Sequence, residues 1–462
     1  MRTALPTATA WVRPSRKAYT LGMKSQALRR LKWGIYLYLL LLIFEGALRK
    51  WVLPGLATPL LIIRDPVSIW LIYSAYQADL FKSNVYTIVA LAISLVALIT
   101  AILFGHSNLT VALYGSRILL IHFPILFIMG RVLTREDVIK IGRVLLWITP
   151  PMTVLMAMQF YSPQSALVNR GVGGDMEGGG FSGAMGFFRP PGTFSFTTGL
   201  TNFFSLVAAY VFFFWLESPS RVNRVLLLVA SACLLAAIPL SISRSLLFSI
   251  LLSAVFAMAI VARKPRFAGK MALALGGCFL ILVGLSTTSF FQTATEAFTE
   301  RIEFASDMEG GVKGTLIDRF LGGMAGAIAD SEGLPFWGFG VGMGTNAGAM
   351  LMTGKVNFLI AEGEWGRLIG EMGILLGLSC VFLRLYVAGK LTWLAFRAID
   401  TENFLPWMLL SFAFLNVIQG QWAQPTALGF SILSGGLTLA AFRKAPAKSA
   451  GLQVPAKKTV NA

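Results

Sequence analysis

Residues 84–104, NVYTIVALAISLVALITAILF, contain no Asp, Glu, Lys or Arg. A helix crosses the hydrocarbon layer in about 20 apolar residues, so this stretch by itself predicts a transmembrane helix. Similar runs recur near 33–49, 56–77, 111–130, 141–160, 196–216, 222–240, 245–262, 270–288, 366–388, 403–420 and 425–442. The expected fold is therefore all-α: a polytopic membrane protein with about 12 transmembrane helices. Composition agrees, because the 462 residues are 56% hydrophobic and only 13% charged. An ordinary soluble domain carries roughly 25% charged residues.

The charge pattern predicts sidedness. Twelve crossings put both termini on one side, and the segments that fall there hold 27 of the 39 Lys and Arg. They include the N-terminal tail, Lys82, Arg131 to Arg143, Arg221 and Arg224, Arg263 to Lys270, Arg384 to Arg397 and the C-terminal tail. Acidic residues concentrate opposite, from Glu296 to Glu332. By the positive-inside rule both termini are cytoplasmic, and the net charge of +18 needs no nucleic-acid partner. The expected organisation is a cytoplasmic basic tail at 1–32, a membrane domain at 33–443 with long periplasmic loops at 161–195 and 289–365, and a cytoplasmic tail at 444–462. Within the second loop, 312–329 is spaced as an amphipathic helix lying on the membrane surface.

Cys233, Cys278 and Cys380 lie in apolar runs and His106 and His122 stand apart, so no metal or disulfide framework is expected. Charges at membrane depth are more informative, because they must face a cavity, a partner or an anionic ligand. Arg64 and Asp65 are adjacent, so they either neutralise one another or offer Arg64 to a ligand. Arg117 interrupts the fourth run, where His122 reads as a packed core residue. Arg244 stands in the serine-rich SISRS element, suited to a phosphate headgroup through its planar fork. Arg189 precedes Pro190 and Pro191, which hold the backbone extended. In EGEWGRLIGE, residues 362–371, Glu364, Arg367 and Glu371 share a face if the helix starts there. Those residues form either an internally paired helix start or a site with Glu364, and Glu362 in reserve, as general base and Arg367 as phosphate ligand. Trp365 reads as a sugar-stacking or aromatic-belt residue, Arg319 as reaching headgroups or substrate, and Asn346 as the end of a glycine-rich turn, GFGVGMGTN.

Three of these elements together resemble the O-antigen ligase and O-antigen polymerase-like superfamily of bacterial envelope enzymes. They are Arg189-Pro-Pro-Gly192, Ser243-Arg244-Ser245, and the outer loop ending in Gly338 to Gly344 before a Glu-rich helix entry. The resemblance implies transfer of a glycan from an undecaprenyl-diphosphate carrier to a sugar hydroxyl on the periplasmic face of the inner membrane, without cofactor or metal. It implies that Arg189, Arg244 and Arg319 contact the diphosphate, and it allows a flippase and a chain-length regulator as partners beside the lipid-linked donor, the sugar acceptor and membrane lipids. Ligases of the family carry a His-Asn pair where this chain has Ala361-Glu362-Gly363-Glu364, which points to polymerisation of an exopolysaccharide, capsule or O-antigen. The competing expectations are a transporter or flippase of a lipid-linked or anionic solute, marked by broken helices, and a scaffold without activity.

Overall fold

The structure, a computed structural model, describes residues 16–217, 219–309, 323–329, 333–355 and 358–443. It is a bundle of helices: α1 (Arg16–Ala47), α2 (Ala57–Leu60), α3 (Arg64–Gln77), α4 (Val85–Leu103), α5 (Leu109–Arg117), α6 (Phe123–Val132), α7 (Arg135–Tyr161), α8 (Thr197–Leu216), α9 (Arg224–Leu240), α10 (Arg244–Arg263), α11 (Ala268–Ser286), α12 (Ser289–Glu309), α13 (Gly323–Ala329), α14 (Asn346–Thr353), α15 (Glu364–Ala398), α16 (Leu405–Gln419) and α17 (Pro425–Ala440). One antiparallel hairpin of two-residue strands, β1 (Phe181–Ser182) and β2 (Phe188–Arg189), interrupts them.

Among the described residues, eight helices are long and apolar enough to cross a membrane, or nine if the bent pair Pro54–Leu60 and Arg64–Gln77 is one span. Arg224–Leu240, Leu405–Gln419 and Pro425–Ala440 are apolar but shorter. The protein is thus an all-α polytopic membrane protein. Large side chains left exposed on α4 and α11, such as Ile88, Leu91, Phe279 and Leu280, suit contact with lipid chains rather than water. Polar side chains begin several of the helices: Asn84, Asn108, Asn223 and Ser243 each accept from a backbone N–H of the first turn, and Thr134 forms a capping box with Asp137.

Helix α8 is the hub. Of its most apolar window 83% is buried, against 11% for the span that contains α11. It packs against α7, α9, α10, α16 and α17 through a phenylalanine-rich surface in which Phe203, Phe204 and Phe213 are fully enclosed. Ion pairs knit one end of the bundle, with Lys32 2.6 Å from Asp137, Arg135 2.5 Å from Glu217 and Arg263 2.8 Å from Asp400.

Three features depart from the sequence expectation, and one expected element lies mostly outside the described residues. The run 56–77 is not one straight helix but breaks by 40° between α2 and α3, just before Arg64 and Pro66. The segment 289–365 is not loop from its start, because residues 289–309 continue as α12. Most of the amphipathic stretch 312–329 lies outside the described residues, with only Gly323–Ala329 seen as helix. The entry at 364 does not lead straight into a crossing: α15 has non-helical angles at Gly373, φ 73° and ψ 169°.

Candidate functional site: an arginine cluster beside a folded-back helix

The break at Gly373 reverses the chain. In a straight helix Glu364 and Arg384 would lie on the order of 30 Å apart, yet Arg384 Nη1 donates to Glu364 Oε1 at 2.6 Å. A Cβ on Gly377 would sit 2.7 Å from the Cα of Ile369, so the short N-terminal limb lies directly on the long one. Backbone chemistry explains why the limb can end there. The orphaned carbonyls of Gly370 and Glu371 accept from Phe339 N at 2.8 Å and Gly340 N at 2.9 Å. Only glycine fits at residue 373, because its φ is left-handed and a Cβ would stand 2.0 Å from the Phe336 carbonyl oxygen.

The limb encloses a balanced set of charges. Arg367 Nε and Nη2 donate to the two oxygens of Glu364 at 3.0 and 2.9 Å, and its Nη1 donates to Glu371 at 2.5 Å. Glu371 also accepts from Gly344 N at 2.8 Å. Arg384 adds donations to the carbonyls of Val417 and Gly420, both at 2.8 Å, and lies 3.9 Å from the Trp422 ring centroid. The helical spacing of Glu364, Arg367 and Glu371 on one face is as expected. Arg384, grouped by sequence with Lys390 and Arg397 at the cytoplasmic edge, instead lies fully buried beside Glu364. Trp365 is buried too, whereas Glu362 and Asn346 are exposed. The glycine-rich turn approaches protein backbone: a Cβ on Gly342 would lie 2.2 Å from the Val111 oxygen.

Arg64 and Asp65 do not neutralise one another. Arg64 turns to Glu45, 3.4 Å away, and donates to the Pro425 carbonyl at 2.5 Å. Asp65 accepts from Arg117 Nη1 at 2.8 and 3.0 Å and lies 2.9 Å from His122 Nε2. A π-helical turn, Ile118–His122, follows Arg117 and ends on His122. A wider turn of that kind inside a helix re-aims side chains and often marks function.

The third constellation centres on Arg189. The hairpin β1–β2 rests on the α9–α10 turn, with the Cβ position of Gly183 2.7 Å from Ile242 and 3.5 Å from Arg189 Cγ. Ile242 has φ 46°, a strained value for a β-branched residue, and the turn it makes delivers Arg244 to the first position of α10. Ser243 caps that helix and lies 3.3 Å from the hydroxyl of Thr201 on α8. Helix α12 is clipped to the end of α7 by a hydrogen bond that Tyr161 Oη donates to the Phe290 carbonyl, and Phe187 of the hairpin stacks on Phe160 with centroids 4.5 Å apart.

Arg244 and Arg301 both lie close enough to Arg189 to act on its charge. Burial, then Arg301 and Arg244, push the Arg189 guanidinium down to about 10. Among the described residues no carboxylate offsets that repulsion at Arg189, and its buried Nε has no hydrogen-bond acceptor. The sequence points to Arg189 and Arg244 but not to Arg301, which stands among Glu296, Glu300 and Glu303 in the acidic outer segment. Arg319 lies outside the described residues.

No family model, curated protein or solved structure matches the chain. Among the described residues no group of three or more His, Cys, Asp or Glu is placed to hold a metal ion.

Proposed function

We propose that the protein transfers a glycan from an undecaprenyl-diphosphate carrier to a sugar hydroxyl at the periplasmic face of the bacterial inner membrane, polymerising an envelope or secreted polysaccharide. The observation that carries this reading is Arg189 itself, acted on by Arg244 and Arg301 and left, among the described residues, with a buried Nε that has no acceptor. Three cations assembled at the edge of apolar helices match a diphosphate whose lipid tail stays in the bilayer. Attack on the anomeric carbon leaves negative charge on the departing diphosphate, and preorganised guanidinium groups stabilise that charge. In this reading the transfer requires no metal or cofactor.

The proposal assigns Glu364, Glu371 and Trp365 to holding the folded-back limb, with Arg367 and Arg384 as their counter-charges, and assigns Arg64 to packing against α17. Exposed Glu362 takes the acceptor's proton, and Asn346 and Arg319 contribute to the sugar-binding surface. Nine long spans, counting the bent pair, and three shorter apolar helices would give twelve crossings with both termini cytoplasmic. A flippase that supplies the donor and a regulator of chain length would be the functional partners.

A second reading, export of an anionic or lipid-linked solute, is favoured by the two interrupted helices, since broken helices with buried charges build transporter sites. One experiment separates the two. A strain lacking the protein is complemented with intact chain or with Arg189→Ala, Arg244→Ala or Arg301→Ala at matched membrane levels, and glycan is resolved by electrophoresis. Single lipid-linked repeats accumulating on the periplasmic face support transfer. Repeats trapped on the cytoplasmic face support export, and normal polymer in the deletion strain defeats both.

A further inference from the structure

Well away in sequence from the arginine cluster, a cleft of about 260 Å³ opens on the side of the bundle between α4, α6, α15 and α17. Its walls are apolar, built by Phe127, Val387, Leu391, Leu394 and Leu439, with Gly130 at the floor against Leu439. Its rim is cationic. Arg131 lines it, with Nη1 donating to the Lys82 carbonyl at 2.6 Å, and Lys390 lines it with Nζ donating to Tyr86 Oη at 3.0 Å. Tyr86 is itself held by stacking on Phe127 with centroids 5.8 Å apart. Beyond Lys390 the cleft runs into a shallower trough beside Trp393, where Gly389 leaves the wall open.

An apolar slot that ends at two cations has the polarity of one molecule class: an acyl chain attached to an anionic headgroup. Both basic groups are anchored by neutral oxygens, a carbonyl and a phenol, rather than by a carboxylate that would neutralise them. The bilayer supplies such a ligand at the required depth, and each basic side chain near an anionic leaflet adds to retention. We propose that this cleft binds an acidic phospholipid, with the phosphodiester between Arg131 and Lys390 and a chain lying along Phe127, Leu391 and Leu439. The assignment is independent of the function proposed above.

The test uses the full chain purified in detergent and stripped of lipid, then titrated with phosphatidylglycerol, phosphatidylcholine or glycerol phosphate, with retention read by native mass spectrometry. Phosphatidylglycerol should be retained in preference to phosphatidylcholine, and the double variant Arg131→Gln with Lys390→Gln should weaken its retention on the order of thirtyfold. Leu394→Trp, which fills the slot and leaves both cations, should also lose the lipid while eluting as folded protein of unchanged size. Equal retention of both phospholipids, or unaltered retention in the double variant and in Leu394→Trp, overturns the proposal. Glycerol phosphate binding as tightly as the intact lipid overturns it in favour of a soluble anion.

Discussion

The folded-back limb of α15 and the arginine cluster both concentrate guanidinium groups, but they answer the cost of burying charge in opposite ways. In the first, Glu364 and Glu371 face Arg367 and Arg384, so the charges sum to zero and the polar atoms find partners within the protein. In the second, Arg189 meets Arg244 and Arg301, and its charge is disfavoured. A balanced set holds a shape together, because loss of one member strands another in a low dielectric. Around Arg189 no such balance forms among the described residues, and on the proposed reading an anion would supply it. On that reading, the balance around each side chain separates architecture from binding where arginine content alone does not.

Stability measurements should break this comparison if it is wrong. Arg367→Met leaves two buried carboxylates to one arginine and should cost about 3–5 kcal/mol, read as a fall in the unfolding midpoint in detergent and in protein level in the membrane. Arg189→Met, by contrast, should shift stability by less than about 0.5 kcal/mol or raise it. Equal losses would mean that the cluster is structural.

Transfer rates sharpen the same contrast. Arg301→Ala should lower glycan transfer on the order of a hundredfold at unchanged protein level, equivalent to about 2.7 kcal/mol of transition-state stabilisation. An unaffected rate would remove Arg301 from the site. Gly373→Ala should then cost about 2 kcal/mol, because the new methyl meets the Phe336 carbonyl and the left-handed angle is disfavoured. Limited proteolysis of the 358–373 segment reads the loosened limb, and wild-type resistance would contradict the fold-back.

The smallest effect concerns pH. Arg189 is protonated near neutrality and loses its proton as pH rises through about 10. Since the depressed value disfavours the cation in the folded protein, stability should rise slightly above that pH while affinity for a diphosphate probe falls. The fall should be about fivefold between about pH 8 and about pH 11, the worth of one cation at a membrane surface. Titration calorimetry with inorganic pyrophosphate measures it, and Arg189→Met should abolish the dependence.

Much of the fold was legible in local sequence, though the interruptions were not. The run 84–104 gave α4 to within a residue at each end, since Asn84 both closes the polar segment and caps the helix. The run 366–388 predicts one crossing, because hydropathy does not register a single glycine with a reversed angle. Arg384 in that run carried a usable signal, a charge amid apolar neighbours, but its sequence distance from Glu364 concealed the pairing. Arg301 carried no such signal, because in a polar segment among Glu296, Glu300 and Glu303 a charge requires no buried partner.

The sequence by itself determined that the chain enters a membrane and where most helices begin and end, because apolar length and capping are properties of some twenty consecutive residues. Only the tertiary structure decided which charges meet. Arg64 left its neighbour Asp65 for Glu45, and Asp65 took Arg117 and His122, because adjacent residues on a helix point in different directions. A buried charge is satisfied by whatever lies nearest in space, and in this bundle that is set by helix breaks at 61–63 and 373 and by the strained turn at Ile242.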